Sequence, residues 1–407
     1  MDELTNPYAP GAGSRPPELA GRDELLKAAR TQLRRAQAGR PFKSFIFIGL
    51  RGVGKTVLLN EVLQIAKELQ CVTSKIEAHE KKRLPELLAP ELRRILLELD
   101  AMAPATEATR KALRVLRSFA GSLKVKLGDI DVGISLPPMK GTADSGDLEA
   151  DLPALFIAVG QAAKSRGIAV VVAIDELQYL EEGELSALVM SVHQISQEAL
   201  PLVFIGAGLP QLVGQMGQSK SYSERLFSFP PVGKLSKQDA KAALKEPASR
   251  EGVKYSPPAL DSIIELTEGY PYFLQEWGFH VWNVADASPI DEADADAATD
   301  SATASLDTNF FRVRFDRLTP REKDYLRAMA ELGPGPHRSG DIADVLGVQV
   351  ESVAPLRSNL IRKGMIFSPQ HGDTAFTVPL FDQFMKRVMP KLPKRRSQKS
   401  AVRDEHR

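Results

Sequence analysis

The chain has 407 residues, 43% hydrophobic and 26% charged, with 53 Lys and Arg against 52 Asp and Glu. That is the size of roughly two to three globular domains, and a formal net charge of +1 excludes any global electrostatic argument for nucleic acid or membrane, so a charged surface must be local. The single cysteine, Cys71, excludes an internal disulfide and a cysteine metal cage, and His79, His193, His280, His337, His371 and His406 show no metal-ligand spacing.

Met1 to Arg15, rich in Pro and Gly, reads as a loose tail. It lacks the basic start and apolar core of a signal peptide, and no apolar stretch is long enough to span a bilayer. The expectation is a cytoplasmic chain with no membrane partner. Asp23 opens an amphipathic helix with Leu25, Leu26, Ala29 and Leu33 on one face.

Phe45 to Ile48 reads as a buried parallel strand and Val57 to Leu69 as a helix. Between them Gly49, Gly52, Gly54, Lys55 and Thr56 complete the pattern G-x-x-x-x-G-K-[ST], with Val53 inside the turn and Val57 on the helix. Glycines let backbone N–H groups curl round an anion, and the helix start adds unsatisfied donors and a partial positive charge. Lys55 would reach the β- and γ-phosphates, and the Thr56 hydroxyl would ligate Mg2+. The stretch predicts nucleoside triphosphate binding, against the alternative of a purely structural turn.

Cys71 to Glu77 reads as a second strand, followed by helices over Leu84 to Leu99 and Ala108 to Phe119. Leu123 to Leu136 alternates apolar and polar residues, which suggests a β-hairpin, and Pro137 to Asp147 a surface loop. No role can be read for residues 84–147, which look like an insertion. Leu152 to Lys164 is helical. Ile168 to Ile174 is a continuous β-branched run, as expected of a strand buried on both faces, and it ends in Asp175-Glu176. Acidic residues at such a strand end lie where ligands bind in open α/β sheets. Asp175 would hold Mg2+, mostly through water, and Glu176 would polarise the attacking water as general base.

Gly183 to Glu198 predicts a helix and Pro201 to Gly206 another buried strand. The polar residue that senses a γ-phosphate is missing after that strand, and Gln211 is offered in its place. Arg225 reads either as a surface arginine paired with Glu224 or Glu181, or as an arginine finger for the nucleotide of a neighbouring subunit. Ser236-Lys237-Gln238-Asp239 resembles a guanine-reading signature but fits a capped helix start better. Helices then run over Lys237 to Glu246, Ala259 to Glu268 and Phe273 to Val284, and Ala285 to Ala304 is an acidic helix face or connector.

From Leu318 the order is helix, helix, helix, hairpin, closing with a helix over Leu380 to Met389. That order describes a winged helix. Its third helix, from Gln349 or Val350, would expose Glu351, Ser352, Arg357, Arg362 and Lys363, with the wing tip near His371-Gly372; Pro355 is awkward there. Arg357, Arg362 and Lys363 are the candidate contacts to duplex DNA. The tail around Lys394-Arg395-Arg396 reads as a solubilising end or a salt-sensitive phosphate anchor.

Together these pieces resemble the AAA+/STAND branch of P-loop ATPases, near the origin-recognition-type and archaeal-type ATPases. The likeness rests on Leu19 to Leu26, Gly49 to Thr56, Ile174 to Glu176, Ser223 to Phe227, Gly269 to Pro271 and the C-terminal pattern. It implies an α/β fold: a three-layer parallel-sheet core over residues 17–230 behind a flexible 1–16 tail, a helical lid over 231–305, a winged helix over 306–390 and a basic tail over 391–407. It also implies that Leu19-Ala20-Gly21-Arg22 lies against the adenine and that Pro271 packs near it. The lid segment Gly269-Tyr270-Pro271 lacks the arginine of classical AAA+ members. The expected ligands are ATP and Mg2+, and the expected function is a slow ATPase switch. Its output is duplex DNA in the first reading. In the second, ATP drives homo-oligomerisation and the winged helix binds a protein partner. A small-molecule kinase is the third and weakest class.

Overall fold

The computed structural model describes residues 1–392 except 12, 103–105, 126–136, 222 and 371. The hairpin expected within Leu123 to Leu136, the wing-tip His371 and the basic tail around Lys394 lie outside the described residues.

The described residues form a parallel sheet of β1 (Ser44–Ile48), β2 (Val72–Glu77), β3 (Val170–Asp175), β4 (Leu202–Gly208) and β5 (Phe227–Ser228), in the order β2-β3-β4-β1-β5. Every residue of β3 and β4 is buried, which is why these strands read as unbroken apolar runs rather than alternating ones. On one face lie α1 (Asp23–Gln37) and α2 (Lys55–Glu68), where Leu33, Leu59 and Val62 pack with Phe47, Val171 and Ile205. The other face carries α3 (Leu84–Ala101), α4 (Glu107–Ser122), α5 (Leu148–Ser165), α6 (Glu182–Gln197) and α7 (Gln211–Ser219), which close a second core around Ile46, Val172 and Phe204. The result is a three-layer sandwich with the sheet in the middle. The apparent insertion at 84–147 therefore supplies two helices of the second layer, with Leu88, Leu92, Leu96 and Leu116 wholly buried. A four-residue helix, α8 (Ser223–Leu226), leads into β5, an edge strand too short to leave a sequence pattern.

Four helices follow: α9 (Lys237–Arg250), α10 (Pro257–Thr267), α11 (Pro271–Val284) and α12 (Glu292–Leu306). Ser236 caps α9 by accepting from Asp239 N at 3.1 Å, so that signature is a helix start. The acidic stretch becomes α12, with Ala295, Ala298 and Ala302 buried and the acids outward. A π-helical turn over Asp307–Phe311 and α13 (Arg312–Phe315) lead into α14 (Pro320–Glu331), β6 (His337–Arg338), α15 (Ser339–Leu346), α16 (Val350–Arg362), β7 (Ile366–Phe367), β8 (Asp373–Phe376) and α17 (Phe381–Val388). The three strands make an antiparallel sheet in the order β6-β8-β7. One hydrophobic cluster runs through the four-helix region and this C-terminal module, carried by Phe273, Phe310, Phe311 and Phe384. The border near residue 305 is thus packed rather than a linker.

The described part of residues 1–16 is packed rather than a loose tail. Tyr8 is 3% exposed, its hydroxyl meets Tyr255 at 2.9 Å, and Asn6 Nδ2 donates to Phe279 O at 3.0 Å. Asp2 O accepts from Trp282 Nε1 at 2.9 Å. An aromatic ring, an amide and a backbone carbonyl anchor a Pro- and Gly-rich segment that composition alone marks as free.

Candidate nucleotide site

Strands β1 and β3 flank β4, so the loop after β1 and the acidic end of β3 open at the same edge of the sheet. Gly49 has no room for a side chain, since a Cβ there would lie 2.0 Å from Val232 O. Gly52 and Gly54 have φ of 78° and 88°, the left-handed region that glycine enters without steric penalty. The loop so formed ends on the first turn of α2, where Lys55 and Thr56 stand.

Lys55 is buried, and its Nζ donates to Gly49 O at 2.9 Å and Leu50 O at 2.7 Å. Burial brings its ammonium down to about 8; Glu176 opposes the shift, Arg51 adds to it, and Asp175 opposes it. Thr56 Oγ1 donates to Asp175 Oδ2 at 2.7 Å, and Asp175 Oδ1 accepts from Glu176 N at 2.9 Å. A threonine hydroxyl against a carboxylate is an oxygen donor set that suits Mg2+, which keeps several waters and is completed by phosphates. Among the described residues no group of three or more His, Cys, Asp or Glu could cage a metal by itself.

Glu176 takes φ 55°, turning the chain at the strand end into a single turn, Leu177–Tyr179. Gln178 on that turn donates to Glu176 Oε2 through Nε2 and accepts from Leu209 N at 3.1 Å through Oε1. It is therefore the polar side chain at the end of β4, a place sequence reasoning offered to Gln211. Gln211 instead opens α7, and its buried Oε1 has no hydrogen-bond partner among the described residues. The signal for Gln178 was present as Asp-Glu-x-Gln, two residues past Glu176.

The helical region closes the site from above. Tyr272, next to Pro271 at the start of α11, donates its backbone N–H to Gly52 O at 3.1 Å. Its ring stacks on Phe310 at 4.6 Å, and the Arg314 guanidinium lies 4.3 Å from the centre of the Phe310 ring. Burial pulls Arg314 down to about 10, helped by Arg51 and opposed by Glu176. Arg314, at the edge of the C-terminal module, is a cation of this cleft that the sequence reading missed. Arg22 donates to Val53 O at 3.2 Å and Gly233 O at 2.6 Å, bracing the loop from below. Gly13 passes Thr56, where a Cβ would lie 3.1 Å from Thr56 Cγ2.

The structure thus brings Gly49, Gly52, Val53, Gly54, Lys55, Thr56, Asp175, Glu176 and Arg22 together at one edge of the sheet, with Val57 next on α2 and Pro271 beside Tyr272 at the start of α11. Arg225 is exposed on α8. Among the described residues no ion pair joins it to Glu224 or Glu181, and no hydrogen bond joins it to the cleft.

The expected display on α16 needs correction. Arg357 is half-buried and donates to Thr374 Oγ1, Ser368 Oγ and Asp373 O at 3.0, 2.8 and 3.1 Å. Lys363 pairs with Glu322 at 2.7 Å and donates to Arg317 O at 3.0 Å. Both clamp the module internally, because each faces a strand or helix start rich in acceptors. Arg362 is exposed, bonded to Asn359 of its own helix.

Residues 18–205 match the family model described as AAA ATPase domain, and residues 308–385 match a domain of unknown function, DUF8462. A search of curated proteins finds no match. Among solved structures, the Walker-type ATPase paby2304 of Pyrococcus abyssi superposes with a TM-score of 0.57 at 19% identity, covering 91% of this chain and 97% of that one. At that identity the likeness is one of fold. The RuvB Holliday junction branch migration motor of Thermotoga maritima (TM-score 0.44, 15% identity, 94% and 100% coverage) and the Aeropyrum pernix ORC1 protein in complex with DNA (0.46, 14%, 92% and 94%) are more distant.

Proposed function

We take as premise that residues 18–205 form an AAA ATPase domain on a P-loop NTPase fold, and we propose that the chain binds ATP with Mg2+, hydrolyses it slowly and passes its nucleotide state to the C-terminal module. The observation that carries this reading is the convergence of Lys55 and Thr56 from α2 with Asp175 at the end of β3 and Glu176 just after it, at one sheet edge. The loop amides and the start of α2 would hold the phosphate chain, and Lys55 would exchange its two carbonyl partners for phosphate oxygens. Thr56 and Asp175 would hold Mg2+, which when bound supplies charge neutralisation on the phosphoryl oxygens. Glu176 would take the proton of the attacking water.

One feature supports slow turnover: Glu176 faces Arg51 at 3.6 Å, a contact that has to open before the carboxylate can take a proton. The reading is tested by fluorescent-nucleotide binding and steady-state ATP hydrolysis, each with and without duplex DNA and coupled to a mass measurement. Magnesium-dependent binding of ATP is expected; binding of neither ATP nor ADP overturns it.

In this reading the C-terminal module would be a winged helix, and DNA contact would now rest on Arg362 and the surface around it. The inward engagement of Arg357 and Lys363 favours the second reading, in which the module contacts protein and ATP drives self-association. Exposed Arg225 would then serve a neighbouring subunit. A mass increase of Glu176→Gln with ATP supports that reading, and a constant monomer in every nucleotide state removes it.

A further inference from the structure

Arg51, within the phosphate loop, touches both halves of the molecule. Its backbone N–H donates to Thr377 O at 2.9 Å, and its Nε lies 3.5 Å from Gly364 O. Its terminal nitrogens reach the Tyr179 hydroxyl at 2.9 Å and Glu176 Oε1 at 3.6 Å. The contact with the C-terminal module is close: a Cβ on Gly364 would lie 2.9 Å from Arg51 Nη2 and 3.4 Å from Leu209 Cδ1. Thr377 is fully buried, with Oγ1 on Met365 O at 3.0 Å. A single residue therefore joins the loop, the candidate base and the face formed by Gly364 and Thr377.

The charges of the cleft make this arrangement conditional. Arg51 acts on both Lys55 and Arg314, Glu176 acts on both as well, and Asp175 acts on Lys55, so these three cations face two carboxylates before any polyanion arrives. A terminal phosphate offers a guanidinium two parallel charge-assisted hydrogen bonds, a better partner than a carboxylate at 3.6 Å.

We infer that Arg51 is a positioning residue that reports the terminal phosphate to the C-terminal module. Without that phosphate it holds Glu176 and the Gly364–Thr377 face; with it, the guanidinium turns to the phosphate, frees Glu176 for its water and loosens the module. A diphosphate lacks the group to which Arg51 turns, so ADP leaves the contact in place. The inference rests on the ATP-binding reading above.

The test is hydrogen–deuterium exchange of peptides spanning Arg51 and residues 364–377 in the full chain, without nucleotide and with magnesium plus ADP or AMP-PNP. Binding of each nucleotide is followed separately by fluorescence. AMP-PNP, and not ADP, is expected to speed exchange at 364–377 by about 5- to 150-fold, the range of ordinary coupling between sites. In Arg51→Ala the segment should exchange equally fast in all three states, and the AMP-PNP to ADP affinity ratio should fall towards one. Tyr179→Phe removes a single hydroxyl from the resting contact. It serves where Arg51→Ala fails to fold, and is expected to raise AMP-PNP affinity and speed exchange without nucleotide. Identical exchange with ADP and AMP-PNP in the wild-type protein, or a full response retained in Arg51→Ala, or a Tyr179→Phe protein indistinguishable from wild type, overturns the inference. Binding without a response at 364–377 removes this inference alone, whereas absence of binding removes the ATP reading and this inference with it.

Discussion

The Thr56 hydroxyl donates to Asp175 Oδ2 at 2.7 Å, joining the first turn of α2 to the end of β3 across the intervening strand β4. Each side chain would keep at least one oxygen lone pair free for a cation between them. Asp175→Asn retains the shape and removes the charge. Because Asp175 would act on Mg2+ mainly through water, the variant should need about 10- to 100-fold more Mg2+ for half-maximal ATP hydrolysis. A magnesium titration of the rate checks this, and an unchanged midpoint takes Asp175 out of the cation site.

Lys55 gives ATP affinity a pH dependence of definite sign. Burial, the first cause, brings its ammonium down to about 8 in the nucleotide-free protein, and the charged form is the one that binds phosphate. Bound phosphates would raise the pKa again. Affinity should therefore be flat below about pH 8 and fall above it, by up to about tenfold per pH unit for one linked proton. Titrations of a fluorescent ATP analogue from about pH 7 to about pH 9.5 measure it. Lys55→Ala should abolish binding, and a wild-type Kd constant across that range contradicts the assignment.

Glu176→Gln keeps a side chain that can still pair with Gln178 but cannot take a proton. Nucleotide binding should persist while the rate falls by about 10²- to 10⁴-fold, the usual worth of a general base. Single-turnover hydrolysis at saturating ATP separates the two effects. Hydrolysis that survives undiminished moves the base elsewhere in the cleft.

Gly49→Ala should destabilise the core rather than merely weaken binding, because the added Cβ would meet Val232 O at 2.0 Å. Backbone on both sides cannot yield as a flexible side chain does. A loss of about 1–3 kcal/mol or more is expected, read as a lower denaturation midpoint without ligand. Gly121→Ala, where a Cβ meets nothing within 4 Å, is the control.

The sequence made the sheet legible because β3 and β4 are buried on both faces and their apolar runs are continuous. It made Lys55, Thr56, Asp175 and Glu176 legible because their spacing is local. What it hid depends on contacts between distant segments. Nothing near Tyr8 announces a partner at Tyr255, and nothing in the phosphate loop announces that Arg51 meets Thr377. Arg357 and Lys363 looked free because helical periodicity shows which face a residue shares, not whether a strand or a helix start will cover that face. Gln178 was within reach of a closer reading, since a polar residue two positions past Glu176 has to point somewhere in the same cleft.

Arg357 and Arg362 separate structure from surface on the same helix. Arg357 makes three hydrogen bonds to the β7–β8 hairpin, so Arg357→Ala should destabilise the C-terminal module by about 1–3 kcal/mol, the penalty for leaving one buried and two half-buried acceptors without their donor. Arg362→Ala, at an exposed position, should leave stability within about 0.5 kcal/mol. If duplex DNA is the partner, Arg362→Ala should lower the slope of log K against log salt by about 0.9, one phosphate contact. Arg357→Ala should leave that slope unchanged and act through folding alone. Denaturation curves and salt-dependent DNA titrations of both variants test this. A slope that drops for Arg357→Ala at unchanged stability means that the hairpin releases that arginine on binding.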